Sequence, residues 1–335
     1  MSESTLKMTW TEIETEVARF LGFDRTSSNW TASQVLDMAA IIKRGMRQFY
    51  FPMRLNAQEP AHRWSFLRPQ TTLVIWDDLV AADAITATIT YASPVSTVTA
   101  SAAAFYPSME GKTLKTASGN SFVIFSYTSS TVVTVTGDAS ADTGDVITVD
   151  SEDTFTLPWD FGGMAGDGFT YDVDNSKINR IKITTDVRIR QLRQSSVSTG
   201  TPYLACIVPL ATDMTKGQRW EAMFHNPPSE ELTLHYRYYI LPDALTKTTY
   251  EYPYGSAVHS ETILESCLAV AEEREKDAAT TLHREKFARL LQSSIDHDKT
   301  LSETANRYGY NGDDSDGPAD GSVTHEDFLV TFNGV

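Results

Sequence analysis

The 335-residue sequence predicts an α+β chain: a split helical bundle built from its two ends, a large all-β sandwich or barrel-like insertion between them, and an extended C-terminal tail. Three observations predict it. Apolar residues recur at helical spacing over 9–50 and 256–306, the intervening stretch reads as short strands, and 308–335 is polar and glycine-rich up to a last apolar patch. The boundaries that follow are 1–68 for the N-terminal helical part, 69–250 for the β insertion with a candidate sub-module at 80–150, 251–307 for the C-terminal helices and 308–335 for the tail.

The first helix opens at Thr9-Trp10-Thr11-Glu12, a capping box in which Thr9 accepts from the first turn while Glu12 reaches back to the cap. Ile13, Val17, Phe20 and Leu21 then share a face, and Gly22 offers a stop. A second box, Thr31-Ala32-Ser33-Gln34, opens a helix whose Val35, Met38, Ala39, Ile42, Met46 and Phe49 form a stripe ending at Pro52. Lys43, Arg44 and Arg47 sit on its far face. Three readings stay open for them: contact with DNA phosphates, contact with a neighbouring subunit's carboxylates, or a solvated helix face.

From residue 71 the composition turns to Thr, Val, Ser, Ile and aromatics, with breaks every eight to twelve residues. Strands are expected at 71–76, 84–91, 95–100, 112–116, 121–127, 131–136 and 145–149, with 71–76 pairing 154–157 across the sub-module. Leu157-Pro158-Trp159-Asp160-Phe161 reads as strand end and turn, and further strands are expected at 179–184, 203–209, 219–224 and 232–239. In the last, Leu232, Leu234, Tyr236 and Tyr238 alternate with Thr233, His235, Arg237 and Tyr239, so one face is core.

Ser256 is the expected cap of the return to helix. Val258, Ile263, Leu264, Cys267, Leu268 and Ala271 form its apolar face, and Glu272, Glu273, Arg274, Glu275 and Lys276 its charged one. A further helix carries Leu282, Phe287, Leu290, Leu291, Ile295 and Leu301. The tail holds six acidic side chains and no Lys or Arg, and Gly309, Gly312, Gly317 and Gly321 loosen its backbone, which predicts disorder in isolation. It ends in Phe328-Leu329-Val330-Thr331-Phe332, a β-prone apolar segment read as an anchor for a partner's sheet or groove.

Several chemistries are set aside. A net charge of −16 argues against general coating of nucleic acid, and the chain has neither a leader-like N-terminus nor an apolar run of membrane-spanning length. Cys206 and Cys267 read as buried free thiols, and His259, His283, His297 and His325 lack metal-ligand spacing. Residues 311–317 place Gly312 and Val323 where a calcium loop needs carboxylates, and the glycines of 162–168 lack the spacing of a phosphate cradle. Asp160, Asp167, Asp172 and Asp174 are candidates for a glycosidase pair, but short strands and acids in turns fit that poorly. No cofactor or catalytic residue is expected.

Taken in order, Arg63-Trp64-Ser65-Phe66-Leu67, Leu157-Pro158-Trp159-Asp160-Phe161, Tyr236-Arg237-Tyr238-Tyr239 with Leu241-Pro242, and Ala271-Glu272-Glu273 with Asp277 and His283 resemble the head-to-tail adaptor proteins of tailed bacteriophages. The resemblance covers nearly the whole chain. It implies a structural virion protein at the head-tail interface, made in the host cytoplasm, in a ring commonly of twelve copies. The implied partners are the portal, a tail nozzle or tube protein, and double-stranded DNA passing non-specifically through the lumen. The anchor at Phe328, Leu329, Val330 and Phe332 would dock on the portal. The large insertion departs from a minimal adaptor. The alternative is a β-sandwich tail protein that binds a host glycan or receptor.

Overall fold

The computed structural model describes residues 4–24, 26–54, 61–151, 154–172, 180–195, 200–210, 217–226, 228, 230–247, 249–276 and 282–307, without the side chains of 167, 195, 276 and 301–307. The described residues fall into two compact units, one within Met1–Pro69 and Tyr239–Val335, the other within Gln70–Tyr238.

The first unit holds α1 (Trp10–Phe20), α2 (Ala32–Tyr50), α4 (Ser260–Lys276) and α5 (Leu282–Arg307). Both capping boxes form, Thr9 with Glu12 and Thr31 with Gln34, because cap and partner lie within one turn and need nothing from elsewhere in the chain. The helices share an apolar core that includes Ile13, Val17, Met38, Ile42, Phe49, Trp64, Ile263, Cys267 and Ile295. At the α2–α4 crossing a Cβ on Gly45 would lie 2.7 Å from the Cα of Cys267, so a glycine permits that approach. Val35, Ala39, Val258 and Leu282, expected in apolar faces, are exposed instead. On α2 the buried stripe turns to take in Ile41, Gly45 and Tyr50. In α4 burial runs unbroken from Thr262 to Glu272, so Glu272, expected on a charged face, lies in the interior.

The second unit holds β1 (Gln70–Ile75), β2 (Ala87–Ala92), β3 (Val95–Ala100), β4 (Thr113–Thr116), β5 (Ser121–Ser129), β6 (Val132–Thr136), β7 (Ile147–Val149), β8 (Thr154–Thr156), β9 (Phe161–Tyr171), β10 (Ile181–Ile183), α3 (Asp186–Ser195), β11 (Leu204–Leu210), β12 (Arg219–His225) and β13 (Leu232–Ile240). The strands form two sheets, one ordered β1-β13-β9-β10-β11-β12-β8 and one ordered β2-β3-β6-β5-β4-β7. The second curls toward closure, its edge strands meeting at the bridge Thr86↔Val146.

This corrects the expected fold class. The chain is a β-rich mixed fold with two sheets and five α-helices among the described residues, not a split helical bundle carrying an inserted sandwich. Two segments account for much of the difference. The glycine-rich stretch 162–168, for which no strand is expected, belongs to β9, an eleven-residue strand inside the seven-stranded sheet. A Cβ on Gly168, at φ +155°, would fall 2.0 Å from the Ile181 carbonyl oxygen, so glycine there serves strand contact. The second segment, expected to be a connection between strands, is α3. It is the crossover between β10 and β11, which pair in parallel and therefore cannot be joined by a hairpin.

The expected pairing of β1 with β8 does not form either. These strands lie at opposite edges of the seven-stranded sheet, β1 against β13 and β8 against β12. The chain entering and leaving the six-stranded sheet pairs just outside them, at Leu79↔Val149. On β13, Leu232, Leu234, Tyr236 and Tyr238 are buried and their neighbours half-buried, as the alternation predicts.

Candidate functional site

The portal-anchor residues Phe328, Leu329, Val330 and Phe332 lie outside the described residues, as do Asp174, Asp277 and His325. Lys43, Arg44 and Arg47 fall on the solvent side of α2, where the helical period carries them away from Ile42, Met46 and Phe49. Arg44 has an acidic neighbour on α4. Arg44 lies 3.8 Å from Glu273, and the neighbouring crossing pair, Arg274 and Asp37, closes to 3.1 Å.

Glu273 also pairs with Arg284, at the edge of a deeper ionic cluster that holds α4 to α5. Glu265, 2% exposed, accepts from His283 Nδ1 at 2.7 Å and also binds Lys286 Nζ. The hydrogen bond to Glu265 raises the Lys286 ammonium above its ordinary value. Glu272 accepts the backbone N–H of His283 at 2.9 Å, satisfying one of the donors that the start of α5 leaves open.

A second buried knot joins α5 to the segment before β1. Asp298, 2% exposed, accepts from His62 Nε2 at 2.9 Å, from the Ser65 N–H at 3.0 Å and from Ser65 Oγ at 2.5 Å. Burial pushes its carboxyl upward, but these hydrogen bonds outweigh burial and leave it below its ordinary value. Ser, His and Asp thus meet, yet Ser65 donates to the carboxylate and not to an imidazole, so the serine is not activated as a nucleophile. The same carboxylate caps the turn that places Trp64 against Phe49, Phe66 and His259.

Of the candidate acids, the side chains of Asp160 and Asp172 are described and that of Asp167 is not. Asp160 accepts from the Tyr238 hydroxyl at 3.1 Å, and Asp172 faces His235 at 3.7 Å. A surface cleft of ≈ 330 Å³ beside α1 is lined by Met8, Thr11, Glu12, Thr15 and Glu16, but Glu12 is already engaged by the Thr9 N–H at 2.7 Å. No group of three or more His, Cys, Asp or Glu among the described residues can hold a metal ion. Both cysteines are free and buried, and burial pushes the Cys267 thiol up to about 12.

In the second unit a buried lysine ties the two sheets together. Lys112, 6% exposed, binds Thr154 Oγ1 and lies 3.7 Å from Glu221, while Glu110 reaches Arg219 at 3.5 Å and takes the Tyr127 N–H at 2.9 Å.

The cations that sequence reasoning missed are on α3 and β10. Residues 180–194 hold Arg180, Lys182, Arg188, Arg190 and Arg193 against a single carboxylate, Asp186, in a chain of net charge −16. Ile189 is fully buried where α3 lies on β11 and β12, which leaves Arg188 and Arg190 exposed on the helix and Arg180 and Lys182 exposed at the neighbouring strand. Arg193 is half-buried and donates to the Phe224 carbonyl at 2.7 Å. Beside it His225, 5% exposed, keeps Nδ1 without a hydrogen-bond partner. Burial, reinforced by Arg193 and Arg188, holds its imidazole below the ordinary value. The cations of 180–193 are visible in the sequence, but the strand expected at 179–184 carries no signal for the helix that follows it.

No family model matches the chain, and no curated protein matches it.

Proposed function

We propose that the chain is a structural protein of a tailed-phage virion, a head-to-tail adaptor that assembles as a ring between portal and tail. The observation that carries this reading is the place of the motif residues that resemble the adaptor family. Trp64 is 1% exposed and donates to the Phe49 carbonyl at 2.8 Å, Ser65 is bound by Asp298, and Glu272 is bound by His283. Motif residues placed this way act as framework, which suits a protein whose work is mechanical. In this reading the C-terminal tail orders on docking, and burial of Phe328, Leu329, Val330 and Phe332 offsets the entropy lost. Many weak contacts around a ring then give a stable assembly.

The test is the mass of the purified protein alone and after mixing with its portal, for the full chain and for a chain ending at Arg307. Joining by the full chain only supports the reading; failure of both to join overturns it. A glycan-binding tail protein is the second reading, and its specific support is Trp159, 52% exposed on the turn between β8 and β9. Glycan binding lost in Trp159→Ala would favour it.

A further inference from the structure

We infer that the chain's own apolar segment 328–332 docks on an aromatic patch at one end of the helical unit, formed by Leu6, Phe51, Met53, Tyr250, Tyr252 and Tyr254, and is covered there in the free protein. The segment itself lies outside the described residues. The contact is made within one chain and does not depend on the adaptor reading.

Topology gathers the patch. Glu272 of α4 accepts the His283 N–H at 2.9 Å where α5 begins, and α5 then runs back along α4 until the Ser294 and Thr262 hydroxyls meet at 2.7 Å. The start of α4 therefore shares one end of the bundle with the later part of α5. The Met8 N–H donates to Ser260 Oγ at 3.2 Å and the Trp10 N–H to the Glu251 carbonyl at 2.8 Å, which brings the start of α1 to the same end. The Tyr254 N–H donates to the Tyr50 hydroxyl at 2.9 Å, and the two rings meet edge-on at 6.3 Å, which adds the end of α2. Segment 250–254 thus has Lys7 Nζ over the Tyr252 ring at 5.6 Å on one flank, next to Leu6, and Tyr50 with Phe51 on the other.

These side chains are left to water. Leu6 and Met53 are 79% and 73% exposed, Phe51 is 50% exposed, and Tyr250, Tyr252 and Tyr254 are exposed as well. Single exposed apolar residues are ordinary, but a group of them at one end of a bundle marks a surface that something covers. Tyrosine offers a flat apolar face and a wet hydroxyl edge, which suits a short segment bearing Phe328, Leu329, Val330 and Phe332.

Reach and charge select the chain's own segment as the occupant. From Ser294 to Arg307, α5 runs about 20 Å beyond the level of Thr262. Residues 308–327 have the composition of a linker, and twenty such residues span about 25 Å r.m.s.. A linker whose span matches the distance to be crossed gives an effective concentration in the millimolar range, which a second copy in dilute solution does not reach. Glu326 and Asp327 directly precede Phe328, and the exposed Arg54 directly follows Met53, so the charges beside the two apolar groups are complementary.

The experiment attaches a nitroxide to the full-length chain at Asn333→Cys, labels the methionine methyls with 13C, and compares NMR intensities with the nitroxide oxidised and reduced. Cys206 and Cys267 are buried, and a chain without the substitution, treated alike, sets their background. The expected result is a Met53 signal reduced at least about twofold, because the docked form predominates at that effective concentration. Met38, buried near the other end of α2, loses far less. Changing Phe328→Ser, Leu329→Ser and Phe332→Ser together restores the Met53 signal. The pair Phe51→Ser and Tyr252→Ser restores it from the other side; if that pair fails to fold, the tail variant carries the comparison.

An undiminished Met53 signal in the chain with the native 328–332 segment overturns the inference. Attenuation that survives the triple serine change also overturns it, since the apolar segment is then not what docks. A mixture of 13C chains without nitroxide and nitroxide chains without 13C reads the source. Attenuation in the mixture as strong as within one chain moves the occupant to a second copy and overturns the own-chain contact; its absence there supports it. Portal joining is scored separately: failure to join removes the adaptor reading and leaves this contact standing.

Discussion

Unit 1, with α1, α2, α4 and α5, and unit 2, with the two sheets, treat charge differently. In the helical unit Glu265, Glu272 and Asp298 are each 2–3% exposed and are met by groups from another element: His283, Lys286, His62 and Ser65. Arg274 likewise ties α4 to α2 and Arg284 ties α5 to α4, while Lys43 and Arg47 stay exposed. In the sheet unit the buried cation Lys112 is met by Thr154 and Glu221, and buried Asp142 by Thr116 and Asn120, while four of the five cations near α3 stay exposed. The contrast separates buried charges that join elements of the fold from exposed charges at its surface, of which Arg190 is paired with Asp186.

The largest effects should come from removing the buried groups. Asp298→Ala leaves the Ser65 N–H and His62 without their acceptor inside the protein, and the expected loss is about 3 kcal/mol, measured as a shift in the chemical-denaturation midpoint. Lys112→Ala removes the ammonium between Thr154 and Glu221 and should cost about 3 kcal/mol in the sheet unit. A near-zero effect at either site would remove that side of the comparison.

Crowding at the helix crossing comes next. Gly45→Ala places a methyl against the backbone of Cys267 and should cost about 2 kcal/mol, read from thermal melting.

Acid distinguishes the knots by order. Burial holds the His259 imidazole below its ordinary 6.5, with Asp298 opposing and His297 and His62 adding repulsion. Its contribution is complete above pH 6.5 and is lost as pH falls through the lower folded value. Asp298 also titrates lower when folded, so its contribution is complete above 3.8 and is lost only at still lower pH. Melting temperature should therefore begin to fall below pH 6.5, and His259→Gln should reduce that first decline, to which His225 also contributes, while leaving the later one. A decline that starts only below pH 4 would contradict the histidine assignment.

The smallest effect belongs to the solvent face of α2. Arg44, with its side chain 61% exposed, faces Glu273 at 3.8 Å, and Arg44→Ala should change stability by less than about 0.5 kcal/mol. A larger loss would place Arg44 among the framework charges.

Legibility in the sequence follows the distance over which each feature is decided. The capping boxes at Thr9 and Thr31 and the alternation on β13 were readable because each depends on residues within a few positions. The candidate site was readable only in pieces. Lys43, Arg44 and Arg47 stand out on a predicted helix, whereas the α3 cations belong to a strand-helix pair whose helix was not foreseen.

By itself, the sequence determined most of the strands, the presence of four of the five helices, which residues cap α1 and α2, and which face of β13 is buried; Ser256, the expected cap of α4, instead precedes the 3-10 turn Ala257–His259, and α4 begins at Ser260. Hydrogen bonds over one turn and a two-residue side-chain period are local properties of the chain. Tertiary structure decided that β1 and β8 occupy opposite edges, that Gly168 lets β9 lie against β10, that Glu272 is interior, and that α3 crosses over between β10 and β11. Each of these depends on a group far away along the chain: a partner strand, the Ile181 carbonyl, the start of α5, and the parallel pairing that forces a crossover helix.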